Sequence, residues 1–249
     1  MNHDFKSIFT PGASVENSED GFRLKIPGGD KRSYRVAQLD DYAHLSRRHF
    51  PAQPPQTLSL HARASKASLP GTWGFGLWND PFGLSIGFGG NPLRFPTLPN
   101  AIWFFHASDE NFLSFGDGPG NGFLAQVFRS PAPRFPFTPL LRAGINYPLS
   151  RRKARTAMSE IVEEKGFCLN LDVTQWHEYR FEWRPSGCVF WVDDALVLET
   201  SLSPRPPLGL VIWIDNQFAA WHPDEGIQSG VLETKECWLE VEHLELKTS

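Results

Sequence analysis

The stretch Pro70–Phe88 reads Pro-Gly-Thr-Trp-Gly-Phe-Gly-Leu-Trp-Asn-Asp-Pro-Phe-Gly-Leu-Ser-Ile-Gly-Phe. Its two halves alternate large apolar residues with small ones, which is the period of an extended strand. The turn-forming residues Asn79-Asp80-Pro81 separate the halves, so the stretch predicts a hairpin. Glycine weakens a strand interior, and repeated glycine on one face indicates close approach of a ligand or of another backbone. We interpret this hairpin as the floor of a groove.

Composition limits the chain to a few classes of protein. It has 249 residues, of which 41% are hydrophobic and 13% aromatic, and this is enough for one all-β domain with a large core. The net charge of −4 argues against nucleic acid as a partner, because phosphate binding needs a basic surface. The three cysteines have no metal-binding spacing, so we expect reduced, buried thiols.

The sequence gives no sign of export, membrane insertion or a cofactor. The N-terminus lacks a basic segment followed by an apolar one, and no apolar run approaches the ~20 residues of a membrane span. No metal-binding or nucleotide-binding motif is present. We therefore expect a cytoplasmic protein without metal or cofactor, and the sequence leaves its oligomeric state open.

Short alternating segments and frequent turns predict an all-β, double-sheet jelly roll that forms a single domain over residues 1–249. Residues 1–20 are polar and rich in turns, and we expect a loose lead-in there. Phe112–Phe115 is expected to be a short strand. In the last strand the apolar alternation slips by one residue, which predicts a β-bulge near His243.

One amphipathic helix is predicted within an insertion at residues 128–166, where apolar residues recur at helical spacing. Ser150 is expected to cap its start and Gly166 its end. The segment Arg151–Arg155 places basic residues at the N-terminal end, against the helix dipole. This basic end is either a solvated face or a contact for an anionic ligand or partner.

The C-terminal third carries short motifs in a fixed order. They are Trp176-His177-Glu178-Tyr179-Arg180-Phe181-Glu182-Trp183, Phe190-Trp191-Val192-Asp193-Asp194, Pro207-Leu208, the apolar run 210–216, and Trp221. In this order they resemble the family 16 glycoside hydrolases, the laminarinase and lichenase group. Gly71-Thr72-Trp73 is similar to the strand before that family's catalytic strand. The resemblance covers residues 55–249 and implies a concanavalin A-like jelly roll.

The chain departs from this family at the catalytic strand. The family carries Glu-x-Asp-x-(x)-Glu there, which places nucleophile and acid/base ~5 Å apart. In the corresponding place we assign the second half of the hairpin, where Gly83, Ser85 and Gly87 occupy the carboxylate positions. The resemblance therefore implies a protein that keeps the fold and lacks two-carboxylate hydrolysis.

Three residues are candidates for relocated acid/base chemistry, namely Asp215, His106 and Asp109. Asp215 ends an apolar strand and is followed by Asn216 and Gln217, a cluster suited either to ligand contact or to structural hydrogen bonds. His106 is either a core histidine or a catalytic base. Asp109 is either an acid/base residue or part of a turn.

Five tryptophans are candidates for the walls of the groove: Trp78, Trp103, Trp191, Trp213 and Trp221. An indole can stack against a sugar ring or against another flat or hydrophobic ligand. With Ser85 and the two amides after Asp215, they form the predicted binding site. The sequence favours a non-hydrolytic protein that binds carbohydrate or another small molecule. An enzyme acting on a glycan or hydrophobic small molecule is the alternative, and an interaction protein using the basic helix end is a third.

Overall fold

The computed structural model describes residues 5–81, 94, 97–116, 118–131, 151–222 and 228–248. In these ranges the chain is almost entirely β-structure, with one α-helix, α1 (Arg151–Ile161), and a short 3-10 helix at Arg47–His49. The strands are β1 (Lys6–Phe9), β2 (Ser14–Asn17), β3 (Gly21–Ile26), β4 (Val36–Asp40), β5 (Gln56–Ala64), β6 (Thr72–Trp78), β7 (Ala101–Ala107), β8 (Gly122–Arg129), β9 (Glu163–Cys168), β10 (His177–Arg184), β11 (Gly187–Val192), β12 (Ala195–Thr200), β13 (Gly209–Asp215), β14 (Gln217–Ala220), β15 (Gln228–Val231) and β16 (Cys237–Thr248).

Most of these strands belong to two antiparallel sheets that pack face to face. Sheet 1 has the order β1-β4-β13-β6-β7-β8-β9, and sheet 2 has the order β12-β11-β10-β5-β16-β3-β2. Strands that are distant in the chain are neighbours in both sheets, as in a jelly roll. The predicted all-β jelly-roll sandwich with one helix is therefore confirmed.

Alternate residues of the central strands fill the core between the sheets. The largest come from β6 of sheet 1 and β10 of sheet 2: Trp73, Phe75, Leu77, Tyr179, Phe181 and Trp183. None of them is more than 2% exposed. Burial of one such side chain stabilises the fold by about 1.5–3 kcal/mol. The alternation in the first half of the predicted hairpin therefore determines which face of β6 turns inward, as the sequence predicts.

The second half of that hairpin, with Gly83, Ser85 and Gly87, lies outside the described residues. In the part of the chain that is described, the strand that follows β6 and pairs with it is β7. The pairing runs from Trp78 opposite Ala101 to Thr72 opposite Ala107.

Two predictions for short segments are wrong. Residues 6–17 are not a loose lead-in, because β1 pairs with β4 and β2 pairs with β3 at the sheet edges. Phe112–Phe115 forms no strand, and Phe112 makes only an isolated bridge to Ala220. An edge strand pairs on one side only, so it needs no strong apolar alternation to form.

The predicted end of the helix is also wrong. α1 ends at Ile161 and β9 begins two residues later, so Gly166 lies inside a strand, opposite Gln126 of β8. Cys168 at the end of β9 is exposed, whereas Cys188 and Cys237 are buried as expected, and all three are free thiols. The predicted bulge is confirmed, since the pairing of β16 with β5 shifts register next to His243, whose φ is +52°.

Candidate ligand-binding face

Sheet 1 has a second apolar face, on the side turned away from the sandwich core. Strand pairing places Phe105 beside Gly74, Trp103 beside Gly76, and Trp213 beside Gly74 from the other side. With Trp78 these rings form one cluster, which we call the aromatic face: Trp78, Trp103, Phe105 and Trp213.

The rings of the aromatic face contact one another directly. Trp78 and Trp213 are stacked at 6.0 Å between ring centroids with an interplanar angle of 7°. Trp103 and Phe105 are stacked at 5.1 Å, and Phe105 and Trp213 at 5.7 Å. The predicted wall residues Trp78, Trp103 and Trp213 are thus brought together by three adjacent strands, β13, β6 and β7.

The close approach of the β7 backbone and of the Trp213 and Trp103 side chains explains the glycines of β6. A Cβ atom at Gly74 would lie 2.9 Å from Cη2 of Trp213 and 2.4 Å from the carbonyl oxygen of Phe104. One at Gly76 would lie 2.5 Å from the Cβ of Trp103. The sequence predicts close approach of a ligand or of another backbone at these glycines, and here the β7 backbone approaches most closely, together with the side chains of Trp103 and Trp213.

The substitution Gly74→Ala should lower the free energy of unfolding by about 1–3 kcal/mol, because the added methyl group overpacks against Trp213 and the β7 backbone. Urea unfolding monitored by circular dichroism measures this. Gly116→Ala is the matched control, since its added Cβ would meet nothing closer than 3.4 Å. Equal stability of both variants and the parent would contradict this account of β6.

The indole N–H groups of the aromatic face are used inside the protein. Nε1 of Trp103 donates to Oε1 of Gln126 at 3.2 Å, and Nε1 of Trp213 donates to Oγ1 of Thr72 at 3.0 Å. Nε1 of Trp78 donates to the hydroxyl of Tyr42 at 2.6 Å. The three indole N–H groups of the cluster are therefore already bonded within the protein.

The aromatic face is buried, but less completely than the sandwich core. Its four rings are 4–7% exposed, whereas Trp73 and Trp183 are 1% and 0% exposed. Tyr42 and Phe50 pack on it at one end, and Met158 and Val162 pack on it from α1 and the residue after it. Trp221, another predicted wall residue, is half-buried against the same cluster.

Asp215 lies at the β13 end of the same sheet face and is held by several donors. Its Oδ1 accepts hydrogen bonds from N and Oγ1 of Thr72 at 3.2 and 2.9 Å and from N of Gln217 at 3.2 Å. Its Oδ2 accepts from the Tyr34 hydroxyl at 3.3 Å. Burial raises the pKa of Asp215 to about 6, although these hydrogen bonds oppose the shift.

Asp215 should make folding less favourable at neutral than at mildly acidic pH. Its folded pKa of about 6 exceeds the unfolded value of 3.8, so its contribution is largest below pH 3.8 and falls as pH rises through 6. The full effect is about 3 kcal/mol. Unfolding of the parent and of Asp215→Asn, compared from pH 4 to 7.5, measures it. A stability difference between them that does not vary with pH would contradict the assignment.

The fold does not place the other two acid/base candidates, His106 and Asp109, beside Asp215. His106 pairs with Trp73 on the inward face of sheet 1, and the two rings stack at 5.3 Å. Burial lowers the pKa of His106 to about 4, so its ring is neutral at physiological pH. Asp109 is exposed in the turn after β7. The three predicted residues thus occupy two faces of the sheet and a turn.

Asn216 and Gln217 differ in environment. Asn216 is fully buried, its Oδ1 accepts from N of Arg35 at 2.8 Å, and its Nδ2 donates to the carbonyl of Leu232 at 2.9 Å. Gln217 is half-buried at the start of β14. Trp191 lies on sheet 2, where the Arg180 guanidinium stacks 4.0 Å from its ring, so it does not join the aromatic face. Ser85 lies outside the described residues.

Polar residues that the sequence analysis missed also lie on this face. Gln38 and Asp40 of β4 lie beside Trp213 and Val211, and Gln126 of β8 lies beside Trp103. All three are nearly or fully buried. The alternation in β4 is the sequence signal that could have identified two of them, because Gln38 and Asp40 are two residues apart and must share a face of the strand.

Arg155, at the basic end of α1, binds backbone carbonyl oxygens of the protein itself. Arg155 is 6% exposed, and its guanidinium donates to the carbonyl oxygens of Ser114, Gly116 and Trp221. It also lies 5.3 Å from the ring centre of Phe112. Arg155 therefore ties α1 to the loop after β7, and the side chains of residues 151–154 lie outside the described part.

The chain matches no family model and no curated protein at the level searched. Solved structures do match. A legume lectin-like domain from Entamoeba histolytica has 11% identity and a TM-score of 0.53, with 98% of this chain and 90% of that chain covered. LamAcat from Zobellia galactanivorans has 16% identity and a TM-score of 0.50, with 94% and 80% covered.

A glycoside hydrolase family 16 endo-glucanase from Bacteroides ovatus is also matched, at 8% identity and a TM-score of 0.49, with 99% and 96% covered. The first two likenesses establish the fold, which is a concanavalin A-like jelly roll. In the described ranges no helix is long and apolar enough to cross a membrane, and no cluster of three or more His, Cys, Asp or Glu is placed to hold a metal ion.

Proposed function

We propose that the chain is a non-hydrolytic, ligand-binding jelly-roll protein that holds a small, mainly apolar molecule against the aromatic face. The observation that carries this proposal is a cluster of four stacked rings on the sheet face outside the sandwich core, with every indole N–H already bonded within the protein. Ligand sites are mostly apolar and aromatic, with a few placed polar groups.

The geometry favours an apolar ring system over a carbohydrate. A sugar presents many hydroxyl groups, each of which must replace its hydrogen bonds to water on binding. The three indoles have no N–H left for this purpose. Stacking on the ring faces is available to either ligand. Carbohydrate, the ligand that the sequence resemblance suggests first, is therefore the comparison in the test.

The positions of the carboxylates support binding without hydrolysis. On the described residues of β4, β13, β6, β7 and β8, the carboxylates on this face are Asp40 and Asp215. Asp40 pairs with Val211, four residues before Asp215, so strand geometry separates the two by about 14 Å. Two-carboxylate hydrolysis uses separations of about 5–10 Å. His106, on the opposite face, cannot complete a pair with Asp215.

Titration of the protein with polycyclic apolar compounds and with gluco-oligosaccharides tests this function. Binding of an apolar compound should change tryptophan emission and release heat in calorimetry, and gluco-oligosaccharides should give neither signal. Binding of the oligosaccharides alone would show that the ligand is a carbohydrate and not an apolar compound. Release of reducing ends from an oligosaccharide would contradict the non-hydrolytic role.

The variant Trp103→Phe should weaken binding of the apolar compound at least tenfold, because it removes ring area from the centre of the aromatic face. Trp191→Phe is the matched control, since Trp191 stacks on Arg180 of sheet 2. Both variants are compared with the parent by calorimetry after thermal unfolding has shown that they fold. If the face only packs the protein together, Trp103→Phe will lower the melting temperature and leave the affinity unchanged.

A further inference from the structure

We propose that α1 is a hinged cover on the aromatic face, with Arg155 as its latch, and that it detaches to admit an apolar ligand. This inference rests on the proposed function and concerns how the ligand reaches that site. The four rings of the face are only 4–7% exposed. A molecule that stacks on them must therefore displace a group that covers them, and segments that open for a ligand are those of low local stability.

α1 lies on the β8 side of the aromatic face. Met158 of α1 and Val162, the residue after it, belong to the same buried cluster as the four rings. Phe115 of this cluster packs against Phe128 at 5.9 Å between ring centroids, and Phe128 packs against Trp103 at 6.1 Å. Detachment of α1 therefore uncovers the side of the cluster that leads to the rings.

The contact of α1 with the rest of the protein is one narrow stripe. Arg155, Met158 and Val162 recur at helical spacing and are 6%, 4% and 2% exposed. The side chains between them are exposed, namely Thr156, Ala157, Ser159 and Glu160. A helix that buries one stripe removes little apolar surface from water, so little free energy opposes its release.

α1 is also a weak helix by itself. It has 11 residues, and isolated helices shorter than about 12–15 residues are marginal in water. Its first turn has no acidic residue and its last turn has no basic residue, so side-chain charges do not compensate the helix dipole at either end. The stability of α1 therefore depends on its contacts with the rest of the protein.

The latch is a single side chain. Among residues 155–161, whose side chains the structure describes, Arg155 is the one with polar bonds outside the helix. Its guanidinium donates to the carbonyl oxygens of Ser114 at 2.8 Å, of Gly116 at 3.2 Å and of Trp221. Hydrogen bonds from a charged donor are stronger than neutral ones, so this one residue contributes much of the attachment.

The loop that receives the guanidinium is held in place independently of α1. Glu164 of β9 accepts hydrogen bonds from N of Phe115 at 3.0 Å, from N of Gly116 at 2.9 Å and from the hydroxyl of Ser114. β9 itself pairs with β8 along its length. One residue, Val162, joins the end of α1 to the start of β9. The hinge is therefore at Val162, and the loop stays on β9 when α1 detaches.

Tyr42 and Phe50 cover the opposite end of the aromatic face and are attached differently. The Tyr42 hydroxyl accepts from Nε1 of Trp78 at 2.6 Å, and Oδ1 of Asp41 accepts from N of Leu210 at 2.9 Å. These bonds fasten that segment directly to β6 and β13. The described side chains of α1 bond to loops instead, so α1 is the cover that can leave without breaking contacts to the sheet.

Thiol labelling of Met158→Cys, in a protein whose exposed Cys168 is replaced by serine, tests the detachment without a ligand. Cys188 and Cys237 are buried in the sandwich core and report unfolding of the whole protein. We expect the introduced thiol to react at least a hundredfold faster than these two. Equal rates would show that α1 leaves only when the protein unfolds, and would overturn the proposal.

Adding Arg155→Met should speed labelling of the introduced thiol about tenfold and leave the two core thiols unchanged, because methionine keeps an apolar stem and removes the guanidinium. Tenfold corresponds to 1.4 kcal/mol. Arg184→Met is the matched control, since Arg184 pairs with Glu182 on the surface of sheet 2. An unchanged rate with Arg155→Met would show that Arg155 is not the latch.

Hydrogen exchange of the unaltered protein, followed by mass spectrometry, gives a second measure that needs no substitution. Peptides from α1 should exchange at least tenfold faster than peptides from β7 and β8 under native conditions. Equal protection of α1 and these strands would contradict the cover even if Met158→Cys did not fold.

Stopped-flow mixing with pyrene, followed by tryptophan emission, tests the role of α1 in ligand entry. Arg155→Met should raise the association and dissociation rates of pyrene by the same factor of about ten, whereas a purely structural role would lower the melting temperature and change neither rate. If pyrene binds and both rates stay unchanged, the cover is wrong and the aromatic face stands as the site. If α1 detaches but pyrene and other polycyclic apolar compounds do not bind, the proposed function fails, and the role of α1 in ligand entry fails with it.

Discussion

The absence of side chains at Gly74 and Gly76, in the middle of one face of β6, is the constraint on which the rest of the structure depends. Gly74 and Gly76 leave the backbone of the central strand bare, and Trp213 and Trp103 cross it from opposite neighbours. Any larger residue would overlap with those rings or with the β7 backbone. The glycines thus give sheet 1 two apolar faces. One packs on sheet 2, and the other carries the aromatic face.

A chain of hydrogen bonds connects the aromatic face to the end of β13. Nε1 of Trp213 donates to Oγ1 of Thr72, and that oxygen donates to Oδ1 of Asp215 at 2.9 Å. Asp215 also receives the Tyr34 hydroxyl, and Asn216 next to it binds the backbone of Arg35 and Leu232. One ring of the face is therefore connected through the Thr72 hydroxyl to a buried carboxyl group.

The sequence predicts the fold well because strand alternation is a local signal. Trp73, Phe75 and Leu77 turn inward as their spacing requires, and the slip near His243 is a real bulge. Predictions failed where pairing depends on distant strands. Gly166 follows a helical pattern in the sequence, but its segment pairs with β8 and becomes a strand. Trp191 has the composition of a wall residue, but its strand belongs to sheet 2.

The candidate site shows the same division between local and distant information. Gly74 and Gly76 indicate a close approach, but only the register of β6 with β7 and β13 shows that the β7 backbone and the Trp213 indole make it. Gln38 and Gln126 are ordinary residues in the sequence. Only the strand order and register place them at the two sides of one aromatic surface.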